Sequence, residues 1–347
     1  MKKFLLLLII SFMFLSACRH EEKLNIVKIK EVYQTPRNEP DNVDSPTIWH
    51  GPNSEHWIIA TAKSTDRLII NDALNGEELF RVSESGDSLG QLERPNGIAV
   101  IDSFVVVVER DNHRLQVFGL PEFNPIGFFA QADLIKPYGL YIQKQKDNYR
   151  IFVTDNYETV DEQVPPNEEL NERVVVFDVE MTDSLLNAKL VKKFGATEGD
   201  GVLKVVESIY GDTLYNNLLI AEELQPGTNV KLYDFDGNYK NKIIGKDLFK
   251  FQVEGISLFE CGSGGYWIIT DQDYDYNIFH FLDRKTFEYV GSIEGFNTTN
   301  TDGIWFDPTP FGEFEKGIFL AIHNDGNVSA FDFKEIADTL NLKTNCK

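Results

Sequence analysis

Charged and polar side chains stand at the same place in six segments of this sequence, directly before a short apolar run. They are Asp44, Asn96, Tyr138, Glu207, Glu254 and Asp302. A second set directly follows the next apolar run of each segment. Its members are Lys63, Arg110, Asn156, Glu223, Asp271 and Asp325, the last placed to within one residue. Seven of these twelve residues are carboxylates. If the segments repeat around one axis, their side chains meet at one height around it.

Such a ring of carboxylates predicts a calcium site. Converging carboxylates repel one another unless cations lie between them, and their oxygen atoms suit Ca²⁺, which takes six to eight oxygen ligands. Lys63 and Arg110 add positive charge in adjacent segments. Arginine grips phosphate through paired hydrogen bonds, and lysine binds it as a point charge. The combination favours a phosphate-ester site over a sugar or peptide site.

A purely structural interpretation of the same residues stays open. Asp-Gly, Glu-Gly and Asn-Gly pairs are ordinary turn sequences, and Arg110 can form a surface ion pair with Glu109. The repetition of one phase, more than any single residue, favours the functional interpretation.

The elements that position these residues are short β-strands in a sixfold repeat. The clearest copies begin with a basic or amide residue followed by apolar alternation, at Arg67, Arg114, Arg173, Asn229, Asn277 and Asn327. Intervals of 47 to 59 residues match a four-stranded propeller blade. The runs before each copy are rich in β-branched and aromatic residues, which indicates strands. We predict an all-β protein, a six-bladed β-propeller.

The edges of this predicted propeller follow from its architecture. A strand near Ile26–Tyr33 is expected to pair into the last blade and close the ring. A short helix is expected around Lys334–Leu342, and Asp161–Glu172 is expected to be a polar insertion between strands.

The first residues predict export. Lys2 and Lys3 precede an apolar stretch that ends in Leu15-Ser16-Ala17-Cys18, the pattern of a bacterial lipoprotein. Residues 1–17 are therefore predicted to be a signal peptide, with Cys18 lipidated and residues 18–347 forming one domain. An ordinary signal peptide with Cys18 as a bystander is the alternative. Cys261 and Cys346 remain, and their pairing cannot be read from the sequence.

The net charge of the chain limits the partners that it can bind. The chain carries a net charge of −22, which disfavours nucleic acid because phosphates are repelled. We expect a monomer that contacts the outer membrane of a bacterial envelope only through its lipid.

Several motifs, in order, resemble the β-propeller phytases. They lie at Asp41–Trp49, Ile220–Glu223, Val253–Ile256, Asp283–Thr286, Tyr289–Gly291, Thr301–Ile304 and Gly317–Phe319. The resemblance covers about Asp41 to Leu340. It implies a calcium-dependent enzyme that releases phosphate from inositol hexakisphosphate by water attack at bridging calcium ions. By motif, it implies calcium ligands at Asp44, Tyr138, Glu207, Glu223, Glu254 and Asp302. It also implies phosphate contacts at Lys63 and Arg110, with Glu223 serving catalysis as well.

The sequence departs from that family at three places. Ser45 replaces one of two paired aspartates, Asn156 replaces a basic residue, and an acidic ligand is missing near Phe296 or Asn297. The second repeat, from Arg94 to Phe118, also resembles an NHL repeat. Two alternatives therefore stay open: a non-enzymatic propeller that binds a peptide or glycan, and a calcium-dependent lactonase or esterase.

Overall fold

The computed structural model describes residues 24–275 and 277–346. The predicted signal peptide and Cys18 lie outside the described residues. The described chain forms six sheets, and the first strands of successive blades contact one another in a closed circle. The predicted all-β, six-bladed β-propeller is confirmed.

Within each blade, strands that are consecutive in the chain pair antiparallel and follow one another from the central channel outward. Two strands precede the first blade: β1 (Ile26–Ile29) and β2 (Tyr33–Gln34). Blade 1 holds β3 (Val43–His50), β4 (His56–Ala62), β5 (Arg67–Asp72) and β6 (Glu78–Val82). Blade 2 holds β7 (Pro95–Ile101), β8 (Phe104–Glu109), β9 (Arg114–Gly119) and β10 (Asn124–Phe129). Blade 3 holds β11 (Pro137–Lys144), β12 (Tyr149–Asp155), β13 (Val174–Thr182) and β14 (Leu185–Phe194).

The remaining blades follow the same plan. Blade 4 holds β15 (Ile209–Asp212), β16 (Asn217–Glu222), β17 (Asn229–Tyr233) and β18 (Tyr239–Ile244). Blade 5 holds β19 (Gln252–Cys261), β20 (Gly264–Gln272), β21 (Asn277–Asp283) and β22 (Tyr289–Gly295). Blade 6 holds β23 (Ile304–Asp307), β24 (Ile318–His323) and β25 (Asn327–Asp332), followed by helix α1 (Phe333–Thr339).

The second and third strands are buried on both faces because each blade packs between two neighbours. All residues of β8 are buried, and Val106 and Val108 pack against Ile151 and Val153 of the next blade. A strand covered on both faces reads as a continuous apolar run rather than an alternation. The unbroken runs that predicted strands in the sequence have this physical cause.

The amino-terminal strands close two blades instead of one. β2 is the outermost strand of blade 6, with Tyr33 opposite Ala330, which confirms that part of the predicted closure. β1 instead adds a fifth strand to blade 5, parallel to β22, so the prediction that it joins the last blade is wrong. Without β1, strand β22 would be the exposed outer edge of blade 5, and its pairing with β1 covers that edge.

The carboxyl terminus is fastened to the same two blades. Helix α1 begins at an Asp332 cap whose side chain accepts the Lys334 N–H, and Phe333 and Ile336 pack in the apolar cluster between blades 5 and 6. Cys261 and Cys346 form a disulfide across 85 residues of sequence. The sequence had left this pairing open.

One motif of the phytase resemblance has a structural role. In the Asp283–Thr286 motif, the buried Arg284 guanidinium donates to both oxygens of Asp212 in blade 4, at 2.8 and 2.6 Å. It also donates to Glu260 at 2.8 Å, so the motif joins blades 4 and 5.

No helix of the described chain has the length and apolar character that a membrane span requires.

Candidate functional site

The ring occupies the end of the channel where every first strand begins and every second strand ends. Backbone pairing fixes which residues are equivalent. The N–H groups of Lys63, Arg110, Asn156 and Glu223 each donate to the carbonyl that lies two residues before the first-strand ring position of the same blade. In blades 5 and 6 the equivalent residues are Gln272 and Asn324. The predicted ring positions Asp271 and Asp325 are therefore each one residue out of register, and the ring holds five carboxylates instead of seven.

Asp271 belongs to a buried support instead. Its carboxylate accepts the N–H groups of Lys250 and Phe251 at 3.0 and 2.8 Å and lies 3.5 Å from His280 Nε2. His280 Nδ1 lies 2.7 Å from Ser292 Oγ. This Ser-His-Asp chain is fully buried. A nucleophile needs access to substrate, so the chain stabilises blade 5 and does not support an esterase.

Small residues directly after the ring positions let the first strands approach one another closely. Four of the six are glycines. A Cβ on Gly139 would lie 2.2 Å from the Glu207 carbonyl, and one on Gly303 would lie 2.6 Å from the Asp44 carbonyl. These glycines lie at or beside the beginnings of the first strands and contact the next blade. The turn interpretation of the Asp-Gly and Glu-Gly pairs is therefore wrong.

Threonines of the second strands hold the ring residues in place. Thr61 Oγ1 donates to the Asn96 carbonyl, and Thr154 Oγ1 donates to the Glu207 carbonyl, both at 2.7 Å. Each bond ties a second strand to the ring residue of the following blade. The ring side chains thus project from backbone that neighbouring blades fix.

Three glutamates from blades 4 and 5 converge on one side of the ring. Glu207, Glu223 and Glu254 each offer a carboxylate oxygen, and these oxygens lie within 4.8 Å of one another. Glu223 is 2% exposed. The Ser208 N–H and the Gln252 side chain lower the pKa of its carboxyl, but neither oxygen makes a well-aligned hydrogen bond within the described residues. Three carboxylates this close repel one another, so the group requires a proton or a cation.

The electrostatics of these glutamates match that need. Burial, then Asp44 and Asp302, raise the pKa of Glu207 to about 8, although Lys63 and the Tyr138 hydroxyl oppose the rise. Burial and Glu207 raise the pKa of Glu223 well above its usual range. The pKa of Glu254 rises for similar reasons, burial first and Glu223 second. Without a cation, the group retains protons near neutral pH.

Lys63 occupies the neighbouring part of the ring. Its ammonium lies between Asp44 Oδ1, at 2.8 Å, and Asp302 Oδ2, at 2.9 Å. Burial alone would lower the pKa of Lys63, but the two carboxylates outweigh it and raise that pKa. Gln272 Nε2 donates to the other oxygen of Asp302 at 2.6 Å. Sequence reasoning missed Gln272, although Thr270-x-Gln272 repeats the spacing of Thr61-x-Lys63 and Thr154-x-Asn156.

Arg110 and Tyr138 lie together in blades 2 and 3. Arg110 binds Asp111 through Nε, at 2.7 Å, and through its terminal nitrogen, at 3.3 Å. The other terminal nitrogen of the Arg110 guanidinium donates to the Tyr138 hydroxyl at 3.3 Å. The alternative of an ion pair between Arg110 and Glu109 is not realised, because Glu109 is bound by the buried Arg114 at 2.7 Å. Asn96 is buried, with neither amide atom partnered among the described residues.

The three departures from the phytase pattern have defined places. Ser45 Oγ donates to Asp44 Oδ2 at 2.8 Å, so the hydroxyl orients the remaining aspartate. Asn156 Oδ1 accepts the Val206 N–H at 3.2 Å and supports the backbone before Glu207. Phe296 is 60% exposed, and Asn297 binds the buried Glu31. None of these residues adds a charge to the ring.

The space inside the ring is small. A cavity of about 30 Å³ is lined by Asp44, Tyr138, Glu207, Glu254 and Asp302 and by the small residues beside them. A second cavity of about 70 Å³ continues down the channel between Ile98, Leu140, Tyr210 and Trp305. A volume of this size suits an ion with a water molecule, so any organic ligand must lie at the mouth above the ring.

Comparisons with known proteins indicate the fold. No protein-family model matches the sequence, and no curated protein matches it. A Kuenenia stuttgartiensis hydrazine synthase structure is similar with a TM-score of 0.52 and 9% identity, over 83% of both chains. A nidogen/laminin complex structure gives a TM-score of 0.46 and 12% identity, over 77% of this chain and 90% of that chain. At such identities the first likeness indicates the fold alone. A six-bladed propeller fits an enzyme or a binding protein.

Proposed function

We propose that this protein is a calcium-dependent phosphoric monoester hydrolase of the β-propeller phytase type. Its proposed substrate is inositol hexakisphosphate or a similarly dense phosphate ester. The observation that carries the proposal is the convergence of Glu207, Glu223 and Glu254 within 4.8 Å, at a point where the carboxylate of Glu223 is buried. A cation is the simplest group that satisfies all three carboxylates.

The donor set fits calcium better than a softer metal. The metal-binding atoms that converge here are oxygens, from Glu207, Glu223 and Glu254, and the Tyr138 hydroxyl lies beside Glu207. Hard oxygen donors select calcium or magnesium, and calcium tolerates irregular geometry. When bound there, calcium would polarise phosphoryl oxygens and activate water.

The basic residues would hold the ester. Lys63 and Arg110 lie in adjacent blades, and each already forms an ion pair with a carboxylate. When phosphate binds, each basic side chain must release that carboxylate or share its hydrogen bonds with it. A guanidinium binds two phosphate oxygens at once. Tyr138 connects the two halves of the site, since its hydroxyl accepts from Arg110 and faces Glu207.

A propeller that binds cations and anionic ligands without hydrolysing them is the second candidate. It is favoured by the pairing of Lys63 with Asp44 and Asp302, and of Arg110 with Asp111. Both cations are neutralised within the chain, and the third basic contact of the family is Asn156, which serves the backbone. A calcium-dependent lactonase or esterase would use the same carboxylates together with an asparagine such as Asn96, and it is the weaker alternative.

The cellular setting is proposed on separate grounds. We infer an exported monomer, lipid-anchored through Cys18 in a bacterial envelope. The Cys261–Cys346 disulfide supports export, because such bonds persist in oxidising compartments. The strongly negative net charge of the chain disfavours nucleic acid as a partner. It is compatible with a small anionic ester that is bound through cations.

Phosphate release from inositol hexakisphosphate tests the hydrolase. The purified chain should release phosphate with calcium and lose that activity when the calcium is chelated. Glu223→Gln should lower release at least 100-fold while the protein stays folded. Asp161→Asn is the matched control, since it removes an exposed carboxylate between β12 and β13 and should leave release unchanged. Calcium binding without phosphate release at any calcium concentration would establish the second candidate instead.

A further inference from the structure

A second cluster of metal-binding side chains lies at the opposite end of the propeller from the ring. His50 and His56 face each other across the hairpin between β3 and β4, as directly opposed partners. Their Nδ1 atoms are 2.6 Å apart. Asp44 lies near the beginning of β3, and His50 is the last residue of the same strand. At 3.3 Å per residue, the histidine pair therefore lies about 20 Å from the ring.

The short distance requires a hydrogen atom or a metal ion between the two rings. Two lone pairs at 2.6 Å repel unless a proton or a metal ion lies between them. Asp307 of blade 6 lies 3.1 Å from His50 Nε2, and a carboxylate there fixes the hydrogen on Nε2. The lone pair of His50 Nδ1 is then directed at His56.

This arrangement is the one that metal-binding histidines show. A carboxylate that accepts from the far ring nitrogen sets the tautomer and raises the basicity of the ligating nitrogen. The Asp307 carboxylate is itself oriented, because it accepts the Thr309 N–H at 2.8 Å. Two imidazoles converging on one point, with one of them backed by a carboxylate, prefer a transition metal over calcium.

The surroundings permit such an ion. Asp72 and Glu55 act electrostatically on His56, and their negative charge favours a cation beside its ring. The side chains of His50 and Asp307 are 19% and 20% exposed, which leaves a path from solvent. Phe311 packs against both rings, at 5.0 and 4.8 Å, and covers one side.

We propose that His50 and His56, oriented by Asp307, form a site for Zn²⁺ or a similar transition metal, separate from the ring of carboxylates. With Zn–N bonds of about 2.0–2.1 Å at a tetrahedral angle, the two nitrogens must stand about 3.3 Å apart. The hairpin end therefore opens by about 0.7 Å when the metal replaces the shared proton. Water completes the coordination, since the pair supplies two ligands.

Zinc titration by calorimetry tests the site. The full chain, without a polyhistidine tag and with calcium at saturation to occupy the ring, should bind one zinc ion. His50→Gln and His56→Gln should each weaken that binding at least 10-fold, and Asp307→Asn should weaken it 10- to 100-fold. His113→Gln is the matched control: His113 is exposed beside the Ile135 carbonyl, and its loss should change nothing.

A spectroscopic measurement on the unaltered protein keeps the test independent of folding. One equivalent of Cu²⁺ should give an electron paramagnetic resonance spectrum with coupling to two imidazole nitrogens. Absence of zinc binding up to millimolar concentration would overturn the proposal, as would zinc binding that His56→Gln leaves unchanged. The histidines would then be a hydrogen-bonded pair that joins blades 1 and 6. Neither result bears on hydrolysis at the ring.

Discussion

The ring of carboxylates predicts that stability in the absence of calcium falls as pH rises, and Glu207 gives the clearest case. Its pKa is raised to about 8 in the folded chain from an ordinary 4.5. A carboxylate with a raised pKa binds more protons when folded, so the stability it contributes is complete below pH 4.5 and is lost towards pH 8. Glu207→Gln removes this titration and should flatten the pH dependence.

The magnitude follows from the shift. Each pH unit between the two pKa values changes the free energy of unfolding by about 1.4 kcal/mol. Between pH 5 and pH 7.5 the wild-type chain should therefore lose up to roughly 3 kcal/mol more than Glu207→Gln. For a domain of this size that corresponds to on the order of 5 °C in melting temperature.

Thermal unfolding followed by circular dichroism, with calcium chelated, measures this difference. The melting temperature of Glu207→Gln should exceed that of the wild type at pH 7.5 and approach it at pH 5. Asp161→Asn should follow the wild type. Saturating calcium should restore the wild type at pH 7.5 and do little at pH 5, because protons and calcium compete for the same oxygens. Parallel pH curves for the wild type and Glu207→Gln would refute the reasoning.

Three further changes test the frame around the ring. Lys63→Met leaves two partly buried carboxylates uncompensated, so without calcium it should lower the free energy of unfolding by about 3–5 kcal/mol in denaturant titrations, and calcium should restore most of the loss. Gly139→Ala places a Cβ 2.2 Å from a carbonyl and should lower the free energy of unfolding by about 1–3 kcal/mol. Gly264→Ala, whose Cβ would have its nearest atom at 3.5 Å, should lower it less. Equal losses for the two variants would argue against close packing at Gly139. Cys261→Ser opens a link across 85 residues and should cost about 2–5 kcal/mol by calorimetry, and an unchanged melting temperature would contradict that role.

The fold could be predicted because its physical cause is local. Strands covered on both faces require continuous apolar runs, and blades of similar length repeat those runs at regular intervals. The phase of the repeat was enough to place Asp44, Glu207, Glu254 and Asp302 at one height. Those four positions required no knowledge of contacts between blades.

Two ring residues were placed one position out of register. The first and second strands of blades 1, 2, 3 and 5 pair with the same shift, so the ring residue stands two places after the apolar run in each, and in blade 5 that residue is Gln272 and not Asp271. In blade 6, the turn after β24 carries positive φ angles at Asn324 and Asp325, and the prediction took the second residue. A bulge or a left-handed turn adds a residue without changing the apolar pattern.

The contacts that define the site were beyond the sequence because they join distant parts of the chain. Lys63 meets Asp302 only because blade 6 closes against blade 1. The pairing of Arg110 with Asp111, and the support that Asn156 gives to Val206, depend on side-chain directions that residue type leaves open. The histidine pair likewise gains its third member, Asp307, only through ring closure.

Calcium titration by calorimetry tests the central claim most directly. The chelator-treated wild-type chain should bind calcium at pH 7.5 with an affinity that falls at pH 5. Glu223→Gln should lose the binding at the three glutamates, and Asp161→Asn should retain it. If the wild type binds no calcium, or if Glu223→Gln binds it as tightly as the wild type, the buried glutamates are satisfied by protons and the proposed metal centre is wrong.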